Sequence, residues 1–154
     1  MIMDKASNRF QDRQLKLIDF QDRVLIVCPR CTQMAQATAD YESKIAKLIC
    51  GHCGFNQQKS TMLDQKANLI TSAEYYFEAD LWLSSSYKEH QFSAYNEAHL
   101  LYLEEFIRAD IRENRDRKFF TMVEKLPKWM ISSKNRLSIL KLIQALKKKI
   151  PPTT

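Results

Sequence analysis

All four cysteines of this 154-residue chain fall in two pairs, Cys28-Pro29-Arg30-Cys31 and Cys50-Gly51-His52-Cys53, with eighteen residues between them. Thiolates are soft donors, and two C-x-x-C pairs at this separation can bring four sulfurs around one tetrahedral ion. Zinc is the expected metal, held by Cys28, Cys31, Cys50 and Cys53. Iron in a rubredoxin-like site is the rival, but an electron carrier needs little beyond its metal domain, and on the order of a hundred residues lie outside this one. Four thiolates leave no open coordination position, so the site is expected to hold structure rather than do chemistry. The only two glycines, Gly51 and Gly54, both sit at the second pair, where left-handed backbone angles are expected. Arg30 and Lys47 stand near enough in sequence to offset the negative charge of the centre, or to contact phosphates.

No second constellation has catalytic spacing. His52 lies between two ligands of an already complete shell and reads as a surface residue, while His90 and His99 are isolated histidines expected to pack. Glu104-Glu105 and the Glu78/Asp80 pair read as solvated carboxylates. Both glycines are committed to the second cysteine pair, so no phosphate-cradling glycine loop exists, and no H-E-x-x-H or G-x-S-x-G occurs. An enzyme would need a site assembled only by the fold, such as His99 with Glu78 or Asp80. Trp82, Trp129, Phe92 and Tyr95 could stack on bases, but their periodic placement favours core.

Elements must position the cysteines, and the apolar pattern supplies them. Leu15 to Val27 reads as a strand running into the first pair; Ala35 to Tyr41 and Lys44 to Ile49 read as two more, with Asp40 to Ser43 as the turn. Asn56 to Ser60 is polar strand or loop, and 61–73 reads as a linker. Alternation in Glu74 to Ser84 predicts a strand, with Tyr87 to Tyr95 returning as its hairpin partner after Ser84-Ser85-Ser86. At Asn96 the period changes to helical: Leu100, Leu103, Phe106, Ile107 and Ile111 predict a helix capped by Asn96 and fading near Asn114. A short helix is predicted over Phe119 to Lys125. The last helix, capped by Ser132 or Ser133, should run to about Lys149 with Leu140, Ile143, Leu146 and Ile150 inward, widened by Ile139 and Leu142. The fold class is therefore α+β: a four-cysteine metal domain over 15–60, the linker, and a hairpin-plus-helical unit over 74–150 with two or three helices.

Net charge is +6, distributed unevenly. Residues 1–60 hold nine Lys/Arg against six Asp/Glu, residues 61–115 hold five against ten, and residues 116–154 hold ten against two. The basic end could bind DNA or RNA phosphates or dock on the chain's own acidic middle. Lys134, Lys141 and Lys148 recur every seven residues, with Arg136 beside them, and are the candidate nucleic-acid-binding residues together with Arg30 and Lys47. Met1 to Gln14 is polar, no uncharged apolar run approaches about 18 residues, and all thiols fit one metal site. We therefore expect a soluble, cytoplasmic protein without a membrane partner.

The two cysteine motifs with Gly54 resemble the zinc-ribbon superfamily, including the TFIIB-type ribbon of transcription factors and related domains of polymerase subunits and ribosomal proteins. Phe92-Ser93-Ala94-Tyr95-Asn96-x-x-His99-Leu100, Leu126-Pro127-x-Trp129-Met130 and Lys134-Asn135-Arg136 look like a family of small bacterial zinc-ribbon proteins. The resemblance implies a ribbon-plus-helices architecture, structural zinc and a transcription- or replication-associated partner; a protein–protein adaptor using an apolar ribbon edge is the alternative. Many ribbons carry glycine after the first pair as well, and Thr32 stands there, which implies a less regular first turn.

Overall fold

The computed structural model of the chain describes residues 9–12, 17–64, 66–108, 111–114 and 126–152. It is mixed α+β and divides into two compact units, Ile18–Asn96 and the combination of Met1–Leu17 with Glu97–Thr154. In chain order the strands are β1 (Arg9–Asp12), β2 (Arg23–Val27), β3 (Met34–Asp40), β4 (Ile45–Ile49), β5 (Asn56–Ser60), β6 (Met62–Leu63), β7 (Ala67–Asn68), β8 (Leu83–Tyr87), β9 (His90–Ala94) and β10 (Ile111–Asn114). The helices are α1 (Glu97–Arg108), α2 (Lys128–Ile131) and α3 (Arg136–Lys147).

In the Ile18–Asn96 unit, β2, β3, β4 and β5 form an antiparallel sheet in that order, with Val24 opposite Ala37 and Ala37 opposite Leu48. Strand alternation sends these side chains to one face, where Val24, Ile26, Ala35, Ala37 and Leu48 are buried with Cys28 and Cys50. Burial of each large aliphatic chain there contributes about 1.5–3 kcal/mol. The small alanines leave room for a 3-10 turn, Ala73–Phe77, which lays Ala73 and Phe77 on that face beside Ala79 and Leu81. Along β4, buried Ala46 and Leu48 alternate with exposed Lys47 and Ile49.

The free edge of β2 is covered. Leu25 N–H donates to the Tyr95 carbonyl at 2.7 Å, Trp82 N–H to the Leu25 carbonyl at 3.0 Å and Val27 N–H to the Asp80 carbonyl at 2.9 Å. Just beyond, the buried Asn96 amide donates to the Phe20 and Arg23 carbonyls at 3.1 and 2.7 Å, so the first and last residues of this unit are clipped together. The opposite edge, β5, is polar and exposed throughout, a composition that discourages edge-to-edge pairing. The apolar edge expected of an adaptor is therefore not at β5.

Several boundaries differ from the sequence expectation. Leu17–Phe20 is a 3-10 turn, so only Arg23–Val27 of the predicted Leu15–Val27 strand is sheet. The 61–73 stretch carries the small β6/β7 hairpin and belongs to the Ile18–Asn96 unit. Of the predicted Glu74 to Ser84 strand only Leu83 and Ser84 are sheet: its first part is the 3-10 turn, ended by Glu78 at a left-handed φ of 53°. Phe77, Ala79 and Leu81 still turn toward the core, so the period-two signal reported facing while the backbone coiled. The hairpin is shifted, with Leu83–Tyr87 pairing His90–Ala94 around Lys88-Glu89, where Lys88 takes φ 54°. It forms its own two-stranded sheet rather than extending the larger one.

In the other unit, α1 buries Leu100, Tyr102, Leu103, Phe106 and Ile107, and α3 buries Ile139, Ile143 and Leu146. Leu140, Leu142 and Ile150 are half-buried at the margin of that stripe. The first helix stops well short of Asn114: Ile111–Asn114 is β10, paired in parallel with β1, so strand pairing at long range overrides the helical period. The predicted 119–125 helix lies outside the described residues. Neither Ser132 nor Ser133 caps α3; a 3-10 turn, Ser133–Asn135, precedes it, and the Asn135 amide donates to the Trp129 carbonyl at 2.9 Å. Glu104 is the other reversal. Rather than a solvated carboxylate, it is buried and receives Lys147 at 2.5 Å, Arg108 at 2.7 Å and Gln144 at 2.6 Å. Among the described residues no helix is long and apolar enough to cross a membrane.

Candidate metal centre

The β2–β3 and β4–β5 connections build the site, and they do so with the same local pattern. In the first, Cys28 N–H donates to the Gln33 carbonyl at 2.8 Å, Thr32 N–H to the Cys28 carbonyl at 2.9 Å, and Cys31 N–H to Cys28 Sγ at 3.5 Å. In the second, Cys50 N–H donates to the Phe55 carbonyl at 2.8 Å, Gly54 N–H to the Cys50 carbonyl at 3.0 Å, and Cys53 N–H to Cys50 Sγ at 3.4 Å. Each strand therefore ends in a loop that folds its own N–H groups onto its first sulfur.

Both loops pass through a left-handed residue four positions after the first cysteine: Thr32 at φ 65° and Gly54 at φ 82°. The threonine adopts the conformation that glycine supplies in the second loop, and its hydroxyl donates to the Cys31 carbonyl at 2.5 Å. The first turn is thus as regular as the second, against the expectation from Thr32. The expectation for Gly51 also fails, since Gly54 is the glycine with positive φ, and a Cβ on Gly51 would meet nothing within 4 Å.

The four sulfurs lie within 4.8 Å of one another, with Cys28 Sγ 3.8 Å from Cys53 Sγ and Cys31 Sγ 3.6 Å from Cys50 Sγ. None is in a disulfide. A tetrahedral ion bonded at about 2.3 Å requires sulfurs about 3.8 Å apart, so the donor set fits a four-thiolate metal site. No protein-family model, curated protein or solved structure matches this chain.

Burial, N–H groups and neighbouring sulfurs shift three of the thiols. Burial pushes the Cys28 thiol up, but the Cys31 and Arg30 N–H groups and the neighbouring thiols outweigh it and bring it to about 7. For Cys31 the Gln33 N–H acts downward, yet burial and the other three sulfurs push it up to about 12. Burial likewise opposes ionisation of Cys50, and the Cys53 and His52 N–H groups lower it. Cys28 and Cys50 are thus held below the ordinary thiol range and Cys31 above it.

The remaining candidates fall in both units. Arg30 and Lys47 are exposed in Ile18–Asn96. Lys47 stands opposite Thr38 and adds to the Ser43 and Glu42 N–H groups that hold the Asp40 carboxyl below its usual range. His52 is exposed beside the site. Lys134, Lys141 and Lys148 are exposed along α3 and its two flanking turns, whereas Arg136 is half-buried with its Nε out of solvent. Of the aromatics, Phe92 is fully buried and Trp82, Trp129 and Tyr95 are half-buried. His99 is buried in α1, and burial pushes its pKa down to about 4; Glu78 and Asp80 are exposed. Sequence reading missed Glu104 as the partner of Lys147: its helical position beside buried Leu103 and Ile107 was the available signal.

Proposed function

We propose that this chain is a zinc-binding, non-enzymatic module whose partner is nucleic acid. Four thiolates leave no position for a substrate, and zinc suits a site of this kind embedded in a larger folded chain rather than a bare electron-carrying domain. The resemblance to zinc ribbons points the same way. What carries the nucleic-acid reading is the division of labour on α3. Lys147 is neutralised by Glu104, while Lys134, Lys141 and Lys148 stay exposed at seven-residue spacing and make no ion pair among the described residues. Seven residues is nearly two helical turns, so Lys141 and Lys148 lie along one side.

Filter binding of zinc-loaded protein to duplex and single-stranded DNA and RNA at two salt concentrations tests the proposal. If five or six cations contact phosphates, log affinity falls against log salt with a slope of about −5 on duplex. Lys134/Lys141/Lys148→Glu abolishes binding with zinc content unchanged. Absence of binding at low salt, or indifference to the triple reversal, refutes it and leaves a protein partner as the alternative.

A further inference from the structure

The four sulfurs are not equivalent, and their differences run in one direction. Cys28 and Cys50 are buried, at 0% and 1% exposure, Cys31 is half-buried, and Cys53 is exposed. The hydrogen bonds fall most heavily on the buried pair. Cys28 Sγ accepts the Arg30 and Cys31 N–H groups at 3.4 and 3.5 Å, Cys50 Sγ accepts those of Cys53 and His52, and Cys31 that of Gln33. Cys53 Sγ lies 3.8 Å from Cys28 Sγ and also contacts the sulfurs of Cys31 and Cys50. An N–H bonded to a metal-bound thiolate withdraws electron density from it, so the buried, hydrogen-bonded Cys28 and Cys50 are the weaker nucleophiles. Cys53 is the most exposed of the four, so a dissolved reagent reaches it first.

We propose that Cys53 is a modification site: the nucleophilic thiolate of the metal centre, attacked by hydroperoxides and by soft alkylating electrophiles, with loss of the metal as the consequence. The proposal rests on the zinc reading above. With a hydroperoxide, Cys53 sulfur attacks the terminal oxygen, the O–O bond breaks and the remaining oxygen leaves as hydroxide or alkoxide, giving a sulfenic acid. Cys28 then attacks the Cys53 sulfur; the S–S bond forms, the S–O bond breaks and hydroxide leaves. Two thiolates have given two electrons to one peroxide, and the zinc ion, stripped of two ligands, is released unchanged in oxidation state. The first and second cysteine loops become covalently joined, Cys28 Sγ lying 3.8 Å from Cys53 Sγ. The other two sulfurs, Cys31 and Cys50, are themselves only 3.6 Å apart and can follow with a second peroxide.

The test uses the full chain with its zinc content measured first. Sub-stoichiometric N-ethylmaleimide followed by peptide mass spectrometry should label Cys53 about tenfold faster than Cys28 or Cys50, with one zinc appearing in a chromogenic chelator for each Cys53 labelled. Hydrogen peroxide should yield the Cys28–Cys53 disulfide with the same zinc release. Because Cys53→Ser could weaken metal binding by itself, the labelling order in the unaltered protein is the deciding measurement. Zinc-loaded protein that labels first at Cys31, Cys28 or Cys50, or that labels at Cys53 without releasing zinc, overturns this proposal alone. Protein that carries no zinc overturns the zinc reading and this proposal with it.

Discussion

Exchanging the left-handed residues of the two cysteine loops offers a calculable test. Thr32 holds φ 65° and Gly54 holds φ 82° at equivalent positions. A side chain in that region costs about 1–2 kcal/mol, while glycine's extra freedom in the unfolded chain costs about 0.5–1 kcal/mol. Thr32 is exposed, and its hydroxyl bond to the Cys31 carbonyl contributes little against water. Thr32→Gly should therefore raise stability by about 0.5–1 kcal/mol, a factor of roughly two to five in zinc affinity if the metal-free loops are unfolded. Gly54→Ala should do the reverse and cost about 1 kcal/mol. A Cβ on Gly54 meets nothing within 4 Å, so this second figure is purely a backbone cost with no clash to confuse it. Competition against a chromogenic zinc chelator, with urea midpoints in parallel, reads both. If Thr32→Gly weakens zinc binding, or Gly54→Ala leaves it unchanged, the equivalence of the two loops is wrong.

Two further outcomes concern the α1–α3 unit. Burial pushes His99 from its ordinary 6.5 down to about 4, so the unfolded chain takes up the proton first. Stability is then complete above about pH 6.5 and falls toward pH 4, by about 2 kcal/mol between pH 7.5 and 5; urea unfolding across that range should show it, and His99→Gln should flatten the slope. For Glu104, burial acts upward on the carboxyl, but Lys147, Arg108 and Gln144 outweigh it and hold it below the ordinary value. Its contribution is present above the ordinary carboxylate range and lost as pH falls through the lowered value. Glu104→Gln should cost about 1–2 kcal/mol at neutral pH, moderated because Lys147 and Arg108 are partly exposed and regain water. A urea midpoint equal to that of the unaltered protein would show the cluster to be ornamental.

The clustering of the four cysteines was readable from their spacing because tetrahedral coordination constrains sequence separation directly. β3 and β4 were readable to within a residue or so, since short alternating runs bounded by a polar turn leave few other options. The Ala73–Phe77 turn was not, because period two records which way side chains face and not how the backbone travels between them. β10 could not be foreseen from its own residues, as Ile111 continues a helical stripe and its strand state comes from pairing with Arg9–Asp12. Asn96 has the local pattern of a helix cap, but its amide spans to Phe20, a relation no local pattern encodes. The α3 core was legible by period, while the selection of Lys147 from the basic end depended on where Glu104 came to rest.

That clasp between Asn96 and Phe20 has a topological consequence. β1 and β10 are separated by about a hundred residues of chain, and joining them in an unfolded chain closes a loop of that length. Once the cysteine-bearing sheet has formed and its two ends are fastened, the intervening chain is short-circuited, and the loop left to close shrinks to about a quarter of that length. The saving is about 1 kcal/mol by the logarithmic law of loop closure. The order of assembly is thereby biased: the cysteine-bearing segment behaves as a self-closing insertion, and parallel pairing of the flanking strands is easier after it has folded than before.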